Sequence, residues 1–166
     1  MTKDNKEQIK GTHKSDQVTQ ALQTVLRTTY NTFLATHNYH WNIEGSKFVS
    51  LHKLFEEHYT ELFAAIDEIA ERIRGLEAYS LPFEDKKIVA LFNNMRNPLV
   101  EHESAEDRAR MMVENLIELN TEVIKACQAG KQASTEEGDD ETEDMLIARI
   151  QVHQENNWMY RSIIKQ

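Results

Sequence analysis

Apolar residues in this chain recur every three or four positions over long segments that contain neither glycine nor proline. The segments cover about 15–43, 46–74, 104–129 and 139–164. A strand would show apolar and polar residues in alternation, and no such alternation is present. Glycine and proline, which favour helix ends over helix interiors, fall between the segments. The pattern predicts four helices of about 25–29 residues, each roughly 40 Å long.

The connections between the predicted helices differ in length. The turn near residues 42–46 is short, which makes the first two helices antiparallel neighbours. Residues 76–103 form a long connection, and the run 86–92 inside it predicts a short helix. A long connection with its own structure is unusual in a simple up-and-down bundle. We therefore predict an all-α, ferritin-like four-helix bundle with a short helix between its second and third helices.

Composition limits the other possibilities. Residues 1–14 are polar and lack a helical period, which predicts a flexible lysine-containing tail before one domain at 15–166. The single cysteine, Cys127, excludes a disulfide framework within the chain. No apolar run approaches the roughly 20 residues of a membrane span, and the start does not resemble a signal peptide. We expect a soluble, cytoplasmic protein that has no membrane partner.

The net charge of −9 makes it unfavourable for the folded body to wrap nucleic acid, because phosphate binding needs a basic surface. An acidic body attracts cations instead. The same excess of acid also keeps a protein soluble without any further role, and the charge alone does not separate these two interpretations.

The second predicted helix carries two separate stripes. One stripe is apolar and is expected to enter the core: Leu51, Phe55, Leu62, Ile66, Ile69 and Ile73. The stripe beside it holds four side chains that can bind a metal: His52, Glu56, Asp67 and Glu71. His40, near the end of the first helix, can join His52 across the short turn. These five side chains are the candidate ligands.

The four ligands on this helix form two pairs, His52 with Glu56 and Asp67 with Glu71. Residues four apart on a helix can reach one ion. Roughly 16 Å of helix axis separates Glu56 from Asp67, whereas ligands lie within about 2–2.5 Å of their metal. One chain therefore cannot bring both pairs to one ion. An antiparallel second copy, related by a two-fold axis near residues 60–63, would place the pairs opposite each other and create two equal sites.

Two imidazoles and three carboxylates with open positions suit Fe(II) and its oxidation, and Zn, Mn or Co could occupy the same ligands. The alternative is a solvated helix face on which these residues make only weak pairs. None of the 7 histidines has glutamate three residues before it. Di-iron centres inside one four-helix bundle use that spacing, so an internal centre is disfavoured and the interface site is left.

These motifs resemble the Dps family (DNA-binding proteins from starved cells), which are small ferritin-like proteins. The resemblance covers about 15–164 and rests on His40-Trp41-Asn42, Gly45, Phe48, His52, Asp67, Ala70-Glu71-Arg72, Gly138-Asp139-Asp140, Asp144-Met145-Leu146 and Trp158. It implies a hollow dodecamer with a ferroxidase centre between two-fold-related subunits. Members oxidise Fe(II) there, preferably with hydrogen peroxide although oxygen also serves, and store ferric oxide inside.

Carried over residue by residue, the resemblance implies a catalytic set that is also the metal-binding set. One chain would supply His40, His52 and Glu56, and its neighbour would supply Asp67 and Glu71. Consuming iron and peroxide together would protect against oxidative damage, because it suppresses hydroxyl radical.

The resemblance also implies ion pores on three-fold axes. Asp140 and Asp144 match the acids that line them, with Thr135 at the third position. Two residues depart from the family pattern near the centre. Glu56 stands where the family usually has aspartate, and Lys53 stands where an acid is common.

Other chemistry-bearing residues have less specific interpretations. Trp41 and Trp158 are expected to pack as core or interface aromatics. No matched role is found for Cys127 or for four histidines, which we interpret as structural or surface residues: His37, His58, His102 and His153. Two alternative functions stay open, namely a DNA-condensing protein that acts through many lysine tails and a structural shell with a zinc-filled or inert site.

Overall fold

The computed structural model describes residues 16–80 and 104–165. They form four helices: α1 at Asp16–Asn42, α2 at Phe48–Gly75, α3 at Ala105–Glu137 and α4 at Asp140–Ile164. The backbones of α1 and α2 pack closely, as do those of α1 and α3, and of α3 and α4. The all-α four-helix prediction is confirmed. The predicted tail at 1–14 and the predicted short helix at 86–92 lie outside the described residues.

The apolar stripe predicted for α2 is the side of that helix that enters the core. Five of its six members are at most 1% exposed, and Ile66 packs at the edge of the core: Leu51, Phe55, Leu62, Ile69 and Ile73. The core has two apolar clusters, one towards the α1–α2 turn and one towards the α3–α4 turn. Tyr39 and Tyr160 are the largest fully buried side chains. This buried face turns the neighbouring stripe of α2 outward.

The predicted end of the third helix near residue 129 is wrong, because α3 continues to Glu137. Gly130 does not end the helix but lies buried inside it. A Cβ atom there would lie 2.8 Å from Leu146 Cδ1 and 3.6 Å from the Cβ atom of Ala21. Glycine at this position therefore permits close packing of three helices. The helix ends instead at Gly138, whose φ of 69° is left-handed.

Side-chain caps begin the two later helices. Ser104 accepts a hydrogen bond from the Asp107 backbone N–H at 3.0 Å, as its position before α3 predicts. Asp139 caps α4 in the same way and accepts from the Thr142 backbone N–H at 3.0 Å. Among the described helices, none combines the length and the apolar character that crossing a membrane requires.

Candidate metal centre

The short α1–α2 turn brings the ends of two helices together. The Ile43 N–H donates to the Tyr39 carbonyl at 2.9 Å, which extends α1 by one bond beyond its last helical residue. The chain then reverses at Gly45, whose φ of 91° is a conformation that glycine adopts without strain. As a result, the last turn of α1 lies beside the first turns of α2. His40 and His52 meet there.

The two imidazole rings stack with their centroids 3.9 Å apart and their planes 21° apart. His40 Nδ1 lies 2.9 Å from the His52 carbonyl oxygen, and His52 Nδ1 lies 2.9 Å from the His40 carbonyl oxygen. A carbonyl only accepts, so each Nδ1 carries the proton and donates. In the neutral form of each ring, the lone pair is then on Nε2. Such a bond to the second ring nitrogen is how proteins orient metal-binding histidines.

The carboxylates behave differently from the imidazoles in a single chain. Glu56, Asp67 and Glu71 are exposed along α2. Among residues 16–80 and 104–165, no group of three or more histidine, cysteine or acidic side chains comes close enough to hold a metal ion. One chain therefore brings together His40 and His52 but not the five predicted ligands.

A partly exposed aromatic face borders the histidine pair. It consists of Tyr30, Phe33, His37, Trp41, Tyr59 and Phe63, whose rings contact one another in sequence. Trp41 is 63% exposed and Phe63 is 64% exposed. Large exposed apolar groups that are contiguous mark contact surfaces. This aromatic face covers the region of α2 between the two ligand pairs.

The core interpretation of the two tryptophans is wrong for the isolated chain, because Trp158 is also 66% exposed. Trp41 contacts His37 with ring centroids 4.1 Å apart and ring planes tilted by 47°. Burial, and then the nearby His40, lower the pKa of His37 below its ordinary value. The role of either tryptophan as an interface residue stays a prediction.

Known proteins match this chain over most of its length. Residues 19–166 match the family model of the ferritin-like domain. The chain is 31% identical to DNA protection during starvation protein 1 of Deinococcus radiodurans over 147 residues, covering 89% of this chain and 68% of that protein. It is 29% identical to general stress protein 20U of Bacillus subtilis over 150 residues, covering 90% and 99% of the two chains.

Solved structures of Dps proteins have the same fold as this chain. Dps from Thermosynechococcus elongatus superposes with a TM-score of 0.78 at 26% identity, covering 92% of this chain and 93% of that one. The chain belongs to the Dps family of ferritin-like proteins. A Dps protein of Vibrio cholerae, described as a member of a superfamily of ferritin-like diiron-carboxylate proteins, matches with a TM-score of 0.78 at 25% identity, covering 92% and 91%.

In this Dps chain, the acids around the α3–α4 turn divide into bonded and open groups. Asp140 and Asp144 are exposed on the first turns of α4. Asp139, by contrast, binds Arg72 Nη2 at 2.6 Å and accepts from the Thr142 hydroxyl at 2.7 Å. Burial raises the pKa of Asp139, but the bonds from Thr142 and Arg72 outweigh it, so its pKa lies below the usual range. Asp139 therefore ties α2 to α4, whereas the two predicted pore acids stay available.

Sequence reasoning missed a polar network inside the Dps bundle. Glu61 on α2 pairs with Arg149 on α4, and Arg149 Nη2 lies 3.1 Å from His153 Nε2. His153 is fully buried, and its Nδ1 lies 2.6 Å from Asn120 Oδ1. A sequence signal that could have indicated this network is the four-residue spacing of Arg149 and His153 on the last helix. The structural interpretation of His153 fits its burial.

Proposed function

We propose that this Dps protein oxidises Fe(II) at sites shared by two-fold-related subunits and stores the ferric product inside a closed shell. The observation that carries the proposal is the reciprocally bonded pair of His40 and His52. Two nearly parallel imidazoles, whose neutral forms would carry the lone pair on Nε2, would supply half of a metal site, since neutral imidazole is a good Fe(II) ligand. Membership of a ferritin-like family supports iron as the substrate.

The other half of the site would come from a second copy. In this arrangement, His40, His52 and Glu56 of one subunit face Asp67 and Glu71 of the partner subunit. The aromatic face supports the contact, because it lies between the two ligand pairs and leaves Phe63 64% exposed in a single chain. A two-fold axis there would bury Phe63 against its own copy and form both sites at once.

The ligand set favours oxidation of the bound iron. Carboxylates stabilise Fe(III) more than Fe(II), because the attraction grows with the charge of the ion. One hydrogen peroxide molecule accepts two electrons, so it consumes two Fe(II) ions without releasing hydroxyl radical. We propose hydrogen peroxide as the preferred oxidant, and zinc, manganese or cobalt as ions that compete for the same ligands.

Twelve copies would form the hollow shell, with Asp140 and Asp144 lining the pores through which Fe(II) enters. Both acids lie near the N-terminal end of α4 and are exposed in the single chain. Glu56 places its carboxylate about one methylene, or roughly 1 Å, beyond an aspartate. We therefore expect the geometry of the bound iron to depend most on Glu56. Lys53, also exposed, would weaken mineral nucleation beside it.

The first experiment adds Fe(II) without oxygen, then hydrogen peroxide, and follows ferric absorbance. We expect rapid oxidation of two Fe(II) per peroxide in the wild-type protein and close to the protein-free rate in Asp67→Ala. The matched control is Glu68→Ala, which removes a neighbouring exposed acid outside the ligand stripe. A wild-type rate equal to the protein-free rate, or an unchanged Asp67→Ala variant, would contradict the proposal and leave an inert or zinc-filled shell.

DNA binding is a second candidate, favoured by relatives named for DNA protection during starvation. The lysines of residues 1–14 are the basic groups that would contact phosphate, and many tails on one shell would act together. A gel shift at low and at physiological salt, with and without residues 1–14, separates the options. If DNA has the same mobility with the full-length protein and with the protein that lacks residues 1–14, DNA binding through the tails is contradicted.

A further inference from the structure

Helix α2 carries four of the five proposed ligands, two on each side of its midpoint. Any rotation of α2 about its axis therefore moves both halves of the site together. A rotation of about 10° would displace a carboxylate that lies about 7 Å from the axis by roughly 1 Å. Metal–ligand distances tolerate only about 0.2 Å. The rotation of α2 must therefore be fixed to within a few degrees.

The contacts that hold α2 differ on its two sides. Its backbone packs closely against α1, whereas α2 and α4 are not among the helix pairs whose backbones pack closely. Long polar side chains cross this second gap, which we call the α2–α4 seam. The crossing pairs are Lys47 with the Ile163 carbonyl, His58 with Tyr160, Glu61 with Arg149, and Arg72 with Asp139.

Glu61 and Arg149 form the most directional of these bridges. Arg149 Nη1 donates to one carboxylate oxygen of Glu61, and Arg149 Nη2 donates to the other at 3.1 Å. The Arg149 side chain is only 6% exposed, so water has little access to its guanidinium group. A planar guanidinium fork accepts a carboxylate in few orientations. Glu61 also lies midway between Glu56 and Asp67, at the level of the proposed two-fold axis.

Further hydrogen bonds hold the Arg149 guanidinium in place. Arg149 Nη2 donates to His153 Nε2 at 3.1 Å, and His153 Nδ1 donates to Asn120 Oδ1 at 2.6 Å. The Asn120 amide then donates to the Leu116 carbonyl of α3 at 2.7 Å. A chain of directional bonds therefore runs from α2 through α4 to the backbone of α3.

We propose that Glu61 and Arg149 are positioning residues for the shared metal sites, because their fork fixes the rotation of α2 and so aligns both pairs of ligands. This inference rests on the proposed function. The Arg149 side chain is buried, whereas the Glu61 side chain is 37% exposed. Apolar residues at these two positions would fill the space but would have no preferred orientation, so replacing the pair should weaken metal binding in a protein that still assembles.

The test compares Co(II) binding by visible absorption in the full-length assembly. The variant is Glu61→Leu/Arg149→Met, and His52→Ala defines the absorption that does not come from the imidazole site. We expect the double variant to keep its sedimentation, to unfold at a lower thermal midpoint because the buried His153 Nε2 loses its partner, and to bind Co(II) about tenfold more weakly, as loss of an orienting partner does. The matched control is Glu114→Leu/Arg110→Met, an exposed pair on α3, for which we expect unchanged binding.

A double variant that assembles and binds Co(II) with wild-type affinity would overturn the positioning role. If the double variant does not assemble, Arg149→Lys replaces it, since lysine keeps the charge but lacks the fork. Wild-type affinity in Arg149→Lys would equally overturn the role, and weaker binding would support it. Absence of imidazole-bound Co(II) in the wild-type protein would instead refute the shared site itself, and this proposal with it.

Discussion

Two pairs of histidines in this bundle, His40 with His52 and the buried His58 with His153, differ in what their nitrogens bind. His40 and His52 use only Nδ1, in bonds to each other's backbone, and leave both Nε2 atoms open. His153 uses both nitrogens inside the core, and His58 Nδ1 bonds to the Tyr160 hydroxyl at 2.6 Å. The difference is the structural ground for proposing metal binding at the first pair and a structural role for the second.

The same contrast extends to the two sides of α2. The side of α2 that faces α1 borders the aromatic face. The predicted metal ligands on this side do not all come together within one chain. The α2–α4 seam is crossed by side chains that hydrogen-bond to one another. The first side needs a second molecule to complete its contacts. The second side, where side chains bond to one another, fixes the position of α2. Four variants test this comparison, from the largest expected effect to the smallest.

The largest effect is expected for His52→Ala. It removes one open Nε2 and should slow peroxide-driven Fe(II) oxidation by about 100-fold or more, because the other ligands cannot hold the ion alone. The unfolding free energy should change by less than about 1 kcal/mol, since the ring is only half-buried. Rapid-mixing absorbance and urea unfolding give the two values. A large loss of stability with a normal rate of Fe(II) oxidation would show that His52 has a structural role and does not bind the metal.

His153→Ala should show the opposite pattern. It leaves a cavity and deprives Asn120 and Arg149 of partners, and we expect a loss of about 3 kcal/mol. Urea unfolding at fixed protein concentration measures the loss. If the variant is as stable as the wild-type protein, the buried network does not hold the bundle together.

Acid should weaken the buried pair selectively. Burial lowers the pKa of His58 to about 4, although Glu61 partly opposes the shift. Burial, Arg149 and His58 lower the pKa of His153 to about 3. The unfolded chain, with a histidine pKa near 6.5, therefore takes up protons first. Stabilisation is complete above about pH 6.5 and is lost as the pH falls towards 3, by up to about 1.4 kcal/mol per pH unit for each group.

The matched variant for this pH dependence is His58→Phe, which removes one of the two groups. Between about pH 4 and 6.5 its unfolding free energy should fall less steeply with acid than that of the wild-type protein. Urea unfolding at pH 4.5, 5.5 and 7 gives the slopes. Identical slopes would show that His58 is not held neutral by the fold.

The smallest effect is expected far from both histidine pairs. Glu77, just past the end of α2, has a left-handed φ of 63°. Glu77→Gly should relieve that strain and raise the unfolding free energy by about 0.5–1 kcal/mol without changing Fe(II) oxidation. Thermal unfolding with a parallel activity assay checks this. A decrease in stability would mean that the glutamate side chain holds the end of α2.

Much of the fold was predictable because periodicity and local caps decide it. The apolar stripe of α2 and the Ser104 cap follow directly from neighbouring residues. The length of α3 was not predictable, because Gly130 normally reads as a helix end and only its contact with Leu146 explains it. That contact joins separate helices and leaves no trace in the local pattern.

The candidate site was predictable in its residue types but not in its details. Helix geometry alone shows that Glu56 and Asp67 cannot share an ion within one chain. The tautomers of His40 and His52 depend on the position of backbone carbonyls, which no sequence displays. Glu61 and Arg149 look like ordinary exposed helix residues until the fold brings them together across the seam.

The most direct measurement is complementation between two inactive variants, His52→Ala and Asp67→Ala. In a mixed dimer, one site lacks both residues and the other is complete. Random pairing makes about half of the dimers mixed, so co-expression should restore about a quarter of the wild-type rate of Fe(II) oxidation. Separately purified variants mixed without exchange of subunits should stay inactive. A co-expressed mixture that is as inactive as the single variants would contradict a site shared between subunits.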